Sequence, residues 1–139
     1  MNEKIVSKRA PEPVGPYPHA RRVGDFIFVS GMGPRRPGTR EIPGVSQDAL
    51  GNVNSYDIEV QTRSTIENIR MVLEDLGAGL EHVVDVSVFL TDMKSDFATF
   101  NRVYGEYFAQ VGATRTTVEV LSLPTPIAVE LKVIAFKSK

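Results

Sequence analysis

The amino-acid sequence predicts a single α+β or α/β domain in which helices pack on a mixed β-sheet. Two observations lead to this class. Segments with the two-residue period of strands are interleaved with segments that have the period of helices, in the order β-β-(loop)-α-β-α-β-β. The length of 139 residues and the hydrophobic content of 42% suit one domain with its own core. No internal repeat is found, so residues 1–139 are predicted to form one unit.

The N-terminal third of the chain contains a predicted arm, a hairpin and a loop. Residues 1–16 are polar and rich in proline, which favours an extended arm. The stretch YPHARRVGDFIFVSG predicts a β-hairpin with its turn at Val23, Gly24 and Asp25 and a strand from Phe26 to Ser30. Residues 34–54 are rich in proline and glycine and have no sustained period, which predicts a long loop. Loops of this length in compact domains are usually functional or disordered.

The first predicted helix is capped by Asn54 or Ser55 and ends at Gly77 and Gly79. The segment HVVDVSVFLTD follows it and alternates as a strand, with Val84, Val86, Val88 and Leu90 on one face.

A second helix is predicted to be capped by Ser95 or Asp96. Its apolar face consists of Phe97, Phe100, Tyr104, Phe108 and Val111. Two strands separated by Pro124 and Pro126 complete the chain.

Composition excludes several classes of function. Sixteen basic and 17 acidic residues give a net charge of −1, so bulk charge recruits neither nucleic acid nor an anionic membrane. No apolar stretch approaches the ~20 residues of a membrane span. The N-terminus lacks the apolar core of a secretory signal and the chain has no cysteine, so we expect a cytoplasmic protein. The two histidines lack the spacing of a metal site, and the sequence carries no nucleotide-binding loop, so we expect no metal and no cofactor.

Three polar residues stand on otherwise apolar elements. Arg115 and Glu130 lie in the last two strands, and Asn101 lies at the edge of the apolar face of the second helix. A guanidinium at a strand end can bind a carboxylate bidentately. One carboxylate and one guanidinium suit proton transfer or hydration on a small organic acid, or simple anion binding. The residues alone leave open that both charges are solvated and that Asn101 makes a capping or interface hydrogen bond.

Three segments give the chain a resemblance to a known family. They are GPYPHARRVGDFIFVSG, VSVFLTDMKSDFATFNRVYGEYF and ATRTTVEVLSLPTPIAVELKVIAF, in this order. From Pro11 onward the sequence resembles the reactive intermediate deaminase (Rid, YjgF-like) family of enamine/imine deaminases. The resemblance implies a chorismate-mutase-like fold, a mixed sheet with two helices on one face, and a homotrimer with sites between subunits.

The resemblance also implies roles for individual residues. Arg115 matches the arginine that binds the substrate carboxylate, and Glu130 matches the glutamate that positions the attacking water. The remaining matches are the helix asparagine and the pocket residues, namely Asn101, Tyr17, Ser30, Gly31 and the backbone near Thr117. Arg115 and Glu130 are therefore expected to belong to one site.

Two departures from the general family pattern suggest a substrate. Residues 34–54 appear as an inserted segment, and TDMKSDF has one extra residue, features similar to 2-aminomuconate deaminase. That enzyme converts a dicarboxylate enamine, 2-aminomuconate, to 4-oxalocrotonate and ammonia in aromatic degradation. The second carboxylate needs a cation or donor, and the candidates are His19, Arg35, Arg36 and Arg40. A general 2-imino-acid deaminase and a non-catalytic, small-acid-binding or chaperone-like trimer are the alternatives.

Overall fold

A computed structural model describes residues 2–138 and confirms the predicted class. Six strands form one mixed sheet in the order β1-β2-β3-β8-β6-β7, and two helices cover one of its faces. A separate pair, β4 and β5, forms a small second sheet. The strands are β1 (Asn2–Ile5), β2 (Ala20–Val23), β3 (Phe26–Val29), β4 (Val45–Gln47), β5 (Val53–Tyr56), β6 (Val83–Leu90), β7 (Thr114–Glu119) and β8 (Val129–Phe136). The helices are α1 (Ile58–Asp75) and α2 (Met93–Phe108), with a 3₁₀ turn at Leu80–His82.

The predicted hairpin is confirmed as β2 and β3, which pair from Ala20↔Val29 to Val23↔Phe26. Gly24 adopts φ 61° in the two-residue turn, a conformation that favours glycine. β3 pairs with β8 and β8 pairs with β6, both antiparallel. β7 pairs with β6 in parallel, and α2 supplies the crossover that a parallel connection requires.

The two segments predicted to be irregular contain strands. The start of the predicted extended arm forms β1, which joins the sheet beside β2. The segment 34–54 is not a structureless loop, because it contains β4 and the first half of β5, joined by a turn in which the Asp48 carboxylate accepts hydrogen bonds from the backbone of Leu50 and Asn52. The Tyr56 hydroxyl then donates to Asp96 at 2.7 Å and fastens this small sheet to α2.

Both predicted helix caps are wrong by a few residues. Asp57 caps α1 by accepting from the backbone N–H of Val60, because Asn54 and Ser55 lie in β5. Asp92 caps α2 by accepting from the backbone N–H of Ser95, which places Ser95 and Asp96 inside the first turn.

The end of α1 at Gly77 is confirmed. Gly77 has φ 75°, and its N–H and that of Ala78 donate to Glu74 and Leu73.

The sheet has one buried and one open face. Along β8, Val129, Leu131, Val133 and Ala135 are buried under the helices, whereas Glu130, Lys132, Ile134 and Phe136 alternate onto the open face.

On β6 the prediction fails at Val84, which is exposed because the pairing with β8 shifts between Val83 and Asp85. Neither described helix is both long and apolar enough to cross a membrane.

Candidate active site

Arg115 and Glu130 lie on opposite faces of the sheet within one chain. Arg115 pairs with Val86, which is fully buried under the helices, so its side chain points to the helical side. Glu130 stands between the buried Val129 and Leu131 and points to the open side. Because a sheet separates the two side chains, a single chain cannot bring them onto one small substrate.

The first group of predicted residues surrounds Glu130. Tyr17, Ser30, Gly31 and Glu130 line one cleft of about 150 Å³, and His19 and Arg35 border it. The structure therefore brings together six of the predicted site residues.

Glu130 carries an unpaired carboxylate in this cleft. It has no hydrogen bond or ion pair to residues 2–138, and partial burial raises its pKa above the ordinary value. Gly31 lies directly against it, since a Cβ at position 31 would overlap the Glu130 carboxylate and lie 3.0 Å from its Cδ. A glycine at this position leaves room for the carboxylate.

The other polar groups of the cleft are partly engaged. The Ser30 hydroxyl donates to the carbonyl of Pro18 at 2.8 Å, so it has only acceptor capacity left. The Tyr17 hydroxyl accepts from the backbone N–H of Val14 at 3.3 Å, and the Tyr17 side chain remains 40% exposed. Tyr17 can still donate its proton to a ligand or a water.

His19 has a structural environment. It is 2% exposed, its Nδ1 accepts from the backbone N–H of Ser7 at 2.7 Å, and its Nε2 donates to the carbonyl of Pro11. Both ring nitrogens are therefore used within the chain. His19 would have to give up one of these bonds to hold a substrate carboxylate.

Sequence reasoning missed the N-terminal segment that forms one wall of the cleft. This segment, residues 7–14, is held at its start by Asp75, which accepts from the Ser7 hydroxyl and, at 2.9 Å, from Arg9. Residues 11–14 then line the same cleft as Glu130. Proline at positions 11 and 13 indicated an extended segment, but nothing in the sequence indicated where it lies.

The second group of predicted residues surrounds Arg115. Its guanidinium lies over the rings of Phe97, Phe100 and Tyr104, with Cζ-to-centroid distances of 5.8, 5.7 and 4.7 Å. Within residues 2–138 it makes no hydrogen bond or ion pair, so its N–H donors are available.

Thr117 shares the face of β7 on which Arg115 stands, and Asn101 lies on α2 among the aromatic residues that contact Arg115. Helical spacing places Asn101 in the stripe of Phe97 and Tyr104, but its side chain is exposed rather than at the edge of a buried face. The hydroxyls of Thr117 and Tyr104 are buried without a partner in the described chain. Because its N–H donors are unused within the described chain, the Arg115 guanidinium can bind an anion.

The three loop arginines occupy different places. A second cavity of about 790 Å³ adjoins the Glu130 cleft, and the two share Glu12, Val14 and Arg35 in their walls. Arg40 lines the larger cavity as well. Arg36 instead pairs with Glu41 at 3.2 Å and borders neither cavity.

The segment that carries these arginines is fixed at its start. Asn68 of α1 donates to the carbonyls of Gly33 and Arg35 at 2.9 and 3.0 Å.

Comparisons with known proteins cover nearly the whole chain. The family model described as Endoribonuclease L-PSP matches residues 7–137. A RutC family protein of Pyrococcus abyssi is 43% identical over 135 residues, which is 97% of each chain. TdcF of Escherichia coli, provisionally described as a reactive intermediate deaminase, is 33% identical over an alignment of 141 residues, which covers 99% of each chain.

Solved structures share the fold. The crystal structure of E. coli TdcF with bound serine superposes with a TM-score of 0.82 at 33% identity and covers 98% of this chain and 100% of that one. A Thermotoga maritima protein, provisionally described as an endoribonuclease, superposes with a TM-score of 0.85 at 35% identity over 100% of both chains.

Proposed function

The chain belongs to the RutC and reactive intermediate deaminase family, and on this premise we propose that it hydrolyses enamines and imines of small carboxylic acids, with 2-aminomuconate as its preferred substrate. The observation that carries the proposal is the Glu130 cleft. A half-buried carboxylate with a raised pKa and no partner stands there against a glycine. A raised pKa makes such a carboxylate a stronger base, able to take a proton from water and return it to a leaving group.

The active site is formed between two copies of the chain in a homotrimer. Arg115 and Glu130 lie on opposite faces of the sheet, so one copy must supply the arginine and its neighbour the glutamate. The open face of the sheet gives the copies a surface to pack on, because Phe26, Phe28 and Phe136 form an exposed aromatic cluster there. Packing on this face would cover the cluster and complete the site.

The reaction needs a carboxylate anchor and a positioned water. Arg115 binds the carboxylate next to the nitrogen-bearing carbon through its free N–H fork, which fixes the substrate for reaction. A proton from solvent adds to the enamine carbon, and water attacks the resulting iminium ion. Glu130 takes a proton from that water and passes it to the amine of the carbinolamine. Ammonia leaves as the C=O bond forms, and the hydroxyl proton returns to solvent. One water is consumed, and a 2-oxo acid and ammonia are formed.

The larger cavity supports the choice of a dicarboxylate substrate. It shares Arg35 with the Glu130 cleft and is lined by Arg40 as well. A second carboxylate enclosed there loses hydration and needs a cation to offset that loss. Arg35 and Arg40 can meet this need, whereas Arg36 lines neither cavity and pairs with Glu41.

Ammonia release from defined substrates tests the proposed chemistry. Imines of neutral amino acids, generated in situ, and 2-aminomuconate are supplied to the wild type and to Glu130→Gln. The substitution should lower kcat by ~10²–10⁴-fold on both substrates, because it removes the base but keeps the shape of the side chain. Release of ammonia from neither substrate by the wild type would support a non-catalytic acid-binding trimer instead.

Variants of the loop arginines distinguish a 2-aminomuconate deaminase from a general 2-imino-acid deaminase. Arg35→Ala and Arg40→Ala should raise KM for 2-aminomuconate, while activity on an imine with one carboxylate stays within about threefold. Arg36→Ala is the matched control and should change neither the KM for 2-aminomuconate nor the activity on the imine with one carboxylate. An unchanged ratio of kcat/KM values in both test variants would favour the general deaminase.

A further inference from the structure

Arg115 is held in place by aromatic rings rather than by an acid. Phe97, Phe100 and Tyr104 follow one another at spacings of three and four residues, so their rings line one face of α2. The guanidinium lies over all three rings within the 6 Å range of cation–π attraction. The shortest of the three distances is the one to Tyr104, at 4.7 Å.

This mode of support leaves the guanidinium free to bind an anion. Stacking on a ring uses the flat face of the group, whereas its N–H donors lie along the edge. A carboxylate partner in the same place would occupy the donors that a substrate needs. The rings also restrict a long side chain that would otherwise lose rotamer freedom when a ligand binds.

The ring of Tyr104 is itself fixed by the core. It is 9% exposed and packs between Phe100 at 5.8 Å and Phe108 at 4.7 Å, both of them fully or almost fully buried. Phe97, at the outer end of the row of rings, is 37% exposed and less constrained. We propose that Tyr104 is a positioning residue that holds the Arg115 fork ready for the substrate carboxylate. This inference rests on the proposed role of Arg115 as the carboxylate anchor.

The aromatic ring, and not the hydroxyl, performs this role. The Tyr104 hydroxyl is buried and has no partner in the described chain, so it makes no contact that holds Arg115. Tyr104→Phe therefore keeps the stacked ring, whereas Tyr104→Leu removes it. Tyr107→Leu is the matched control, because Tyr107 lies in the same helix, is partly buried against the core and contacts Arg63 instead.

The test combines a ligand-free and a ligand-binding measurement on the purified full-length protein. The NMR shift of the Arg115 Nε–H proton reports the stacking directly, because ring currents move it upfield. Calorimetric titration measures the affinity for pyruvate, which is the 2-oxo acid product from the imine of alanine. This affinity reports how well Arg115 binds a carboxylate. Pyruvamide has nearly the same shape without the charge and serves as the control ligand.

Tyr104→Leu should lose the upfield shift and bind pyruvate about tenfold more weakly. Pyruvamide binding should not change, and Tyr104→Phe and Tyr107→Leu should behave as the wild type. A wild-type Nε–H shift equal to that of free arginine would overturn the inference even if Tyr104→Leu does not fold. Wild-type pyruvate affinity in a folded Tyr104→Leu would also overturn it.

Arg115→Lys separates this inference from the proposed function. If that variant binds pyruvate as the wild type does, the proposed anchor is wrong whatever Tyr104 does. If it loses binding while Tyr104→Leu keeps it, the anchor stands and the positioning role of Tyr104 is wrong.

Discussion

Replacing Gly31 by alanine should impair catalysis without unfolding the protein. The new Cβ would overlap the Glu130 carboxylate and lie 3.0 Å from its Cδ. Gly31 is exposed and its φ is not in the left-handed region, so alanine fits the backbone there. The far end of the Glu130 side chain is what must move, because its carboxylate has no partner to hold it.

The size of the effect follows from this contact. Restoring an ordinary van der Waals distance moves the carboxylate by about 1 Å. A misplacement of that size can cost about 10²-fold in rate, which is about 2.7 kcal/mol of transition-state stabilisation. The free energy of unfolding should change by less than about 1 kcal/mol, because the substitution is exposed and displaces only a flexible side chain.

The measurement is kcat for ammonia release together with the melting temperature. Gly33→Ala is the control, since a Cβ there lies 2.7 Å from Cδ1 of Ile127 and does not reach Glu130. That variant disturbs an apolar wall of the same cleft, and its kcat should stay within about threefold of the wild type. Adding Glu130→Asp to Gly31→Ala shortens the side chain that the new Cβ displaces. The losses in kcat caused by the two single substitutions should therefore not add in the double variant.

Wild-type kcat in a folded Gly31→Ala would refute the reasoning, because a base displaced by this distance cannot retain full efficiency. An equal loss in Gly33→Ala would also count against it, since any crowding of the cleft would then suffice.

Four further predictions concern the charged groups. Because burial raises the Glu130 pKa, kcat should fall as pH decreases through that raised value. Because the pKa of Glu130 is raised in the folded state, its contribution to stability is largest below the ordinary glutamate pKa and is lost as pH rises. Thermal melts at neutral pH should therefore show Glu130→Gln at least as stable as the wild type. Arg115→Lys keeps the charge but loses the fork, and steady-state kinetics should show kcat/KM at least about tenfold lower. Asp75→Ala removes the anchor of Ser7 and Arg9 and should cost about 1 kcal/mol in denaturant unfolding, with a raised KM because residues 11–14 wall the cleft.

The order of the elements could be predicted because hydrophobic period determines which faces are buried. The alternation along β8 placed Glu130 opposite the buried residues, and the structure has it there. The caps were misplaced because Ser, Asn and Asp are all good caps, and the choice depends on how far β5 extends. The small sheet was missed because two short strands have too little period to stand out, and a side chain, that of Asp48, closes their turn.

The face of Arg115 could not be predicted from its own strand. β7 reads TRTTVE, and its two faces have similar composition, so alternation carries no information about which side is buried. Only the register against Val86 and the rings of α2 assign it to the helical side. In the structure Tyr17, Ser30, Gly31 and Glu130 line one cleft, whereas their separation from Arg115 within one chain follows from the sheet.

The most direct test of the account is complementation between two inactive variants. Arg115→Ala and Glu130→Gln are each expected to be inactive, and they are unfolded together at equal amounts and refolded as mixed oligomers. Suppose that each site takes its arginine from one copy and its glutamate from the neighbour. Random mixing then produces both intact residues in about one quarter of the sites, so about a quarter of the wild-type activity should return. Each variant refolded alone should remain inactive. If the mixed sample also stays inactive while light scattering shows that mixed trimers have formed, Arg115 and Glu130 do not act together across two copies.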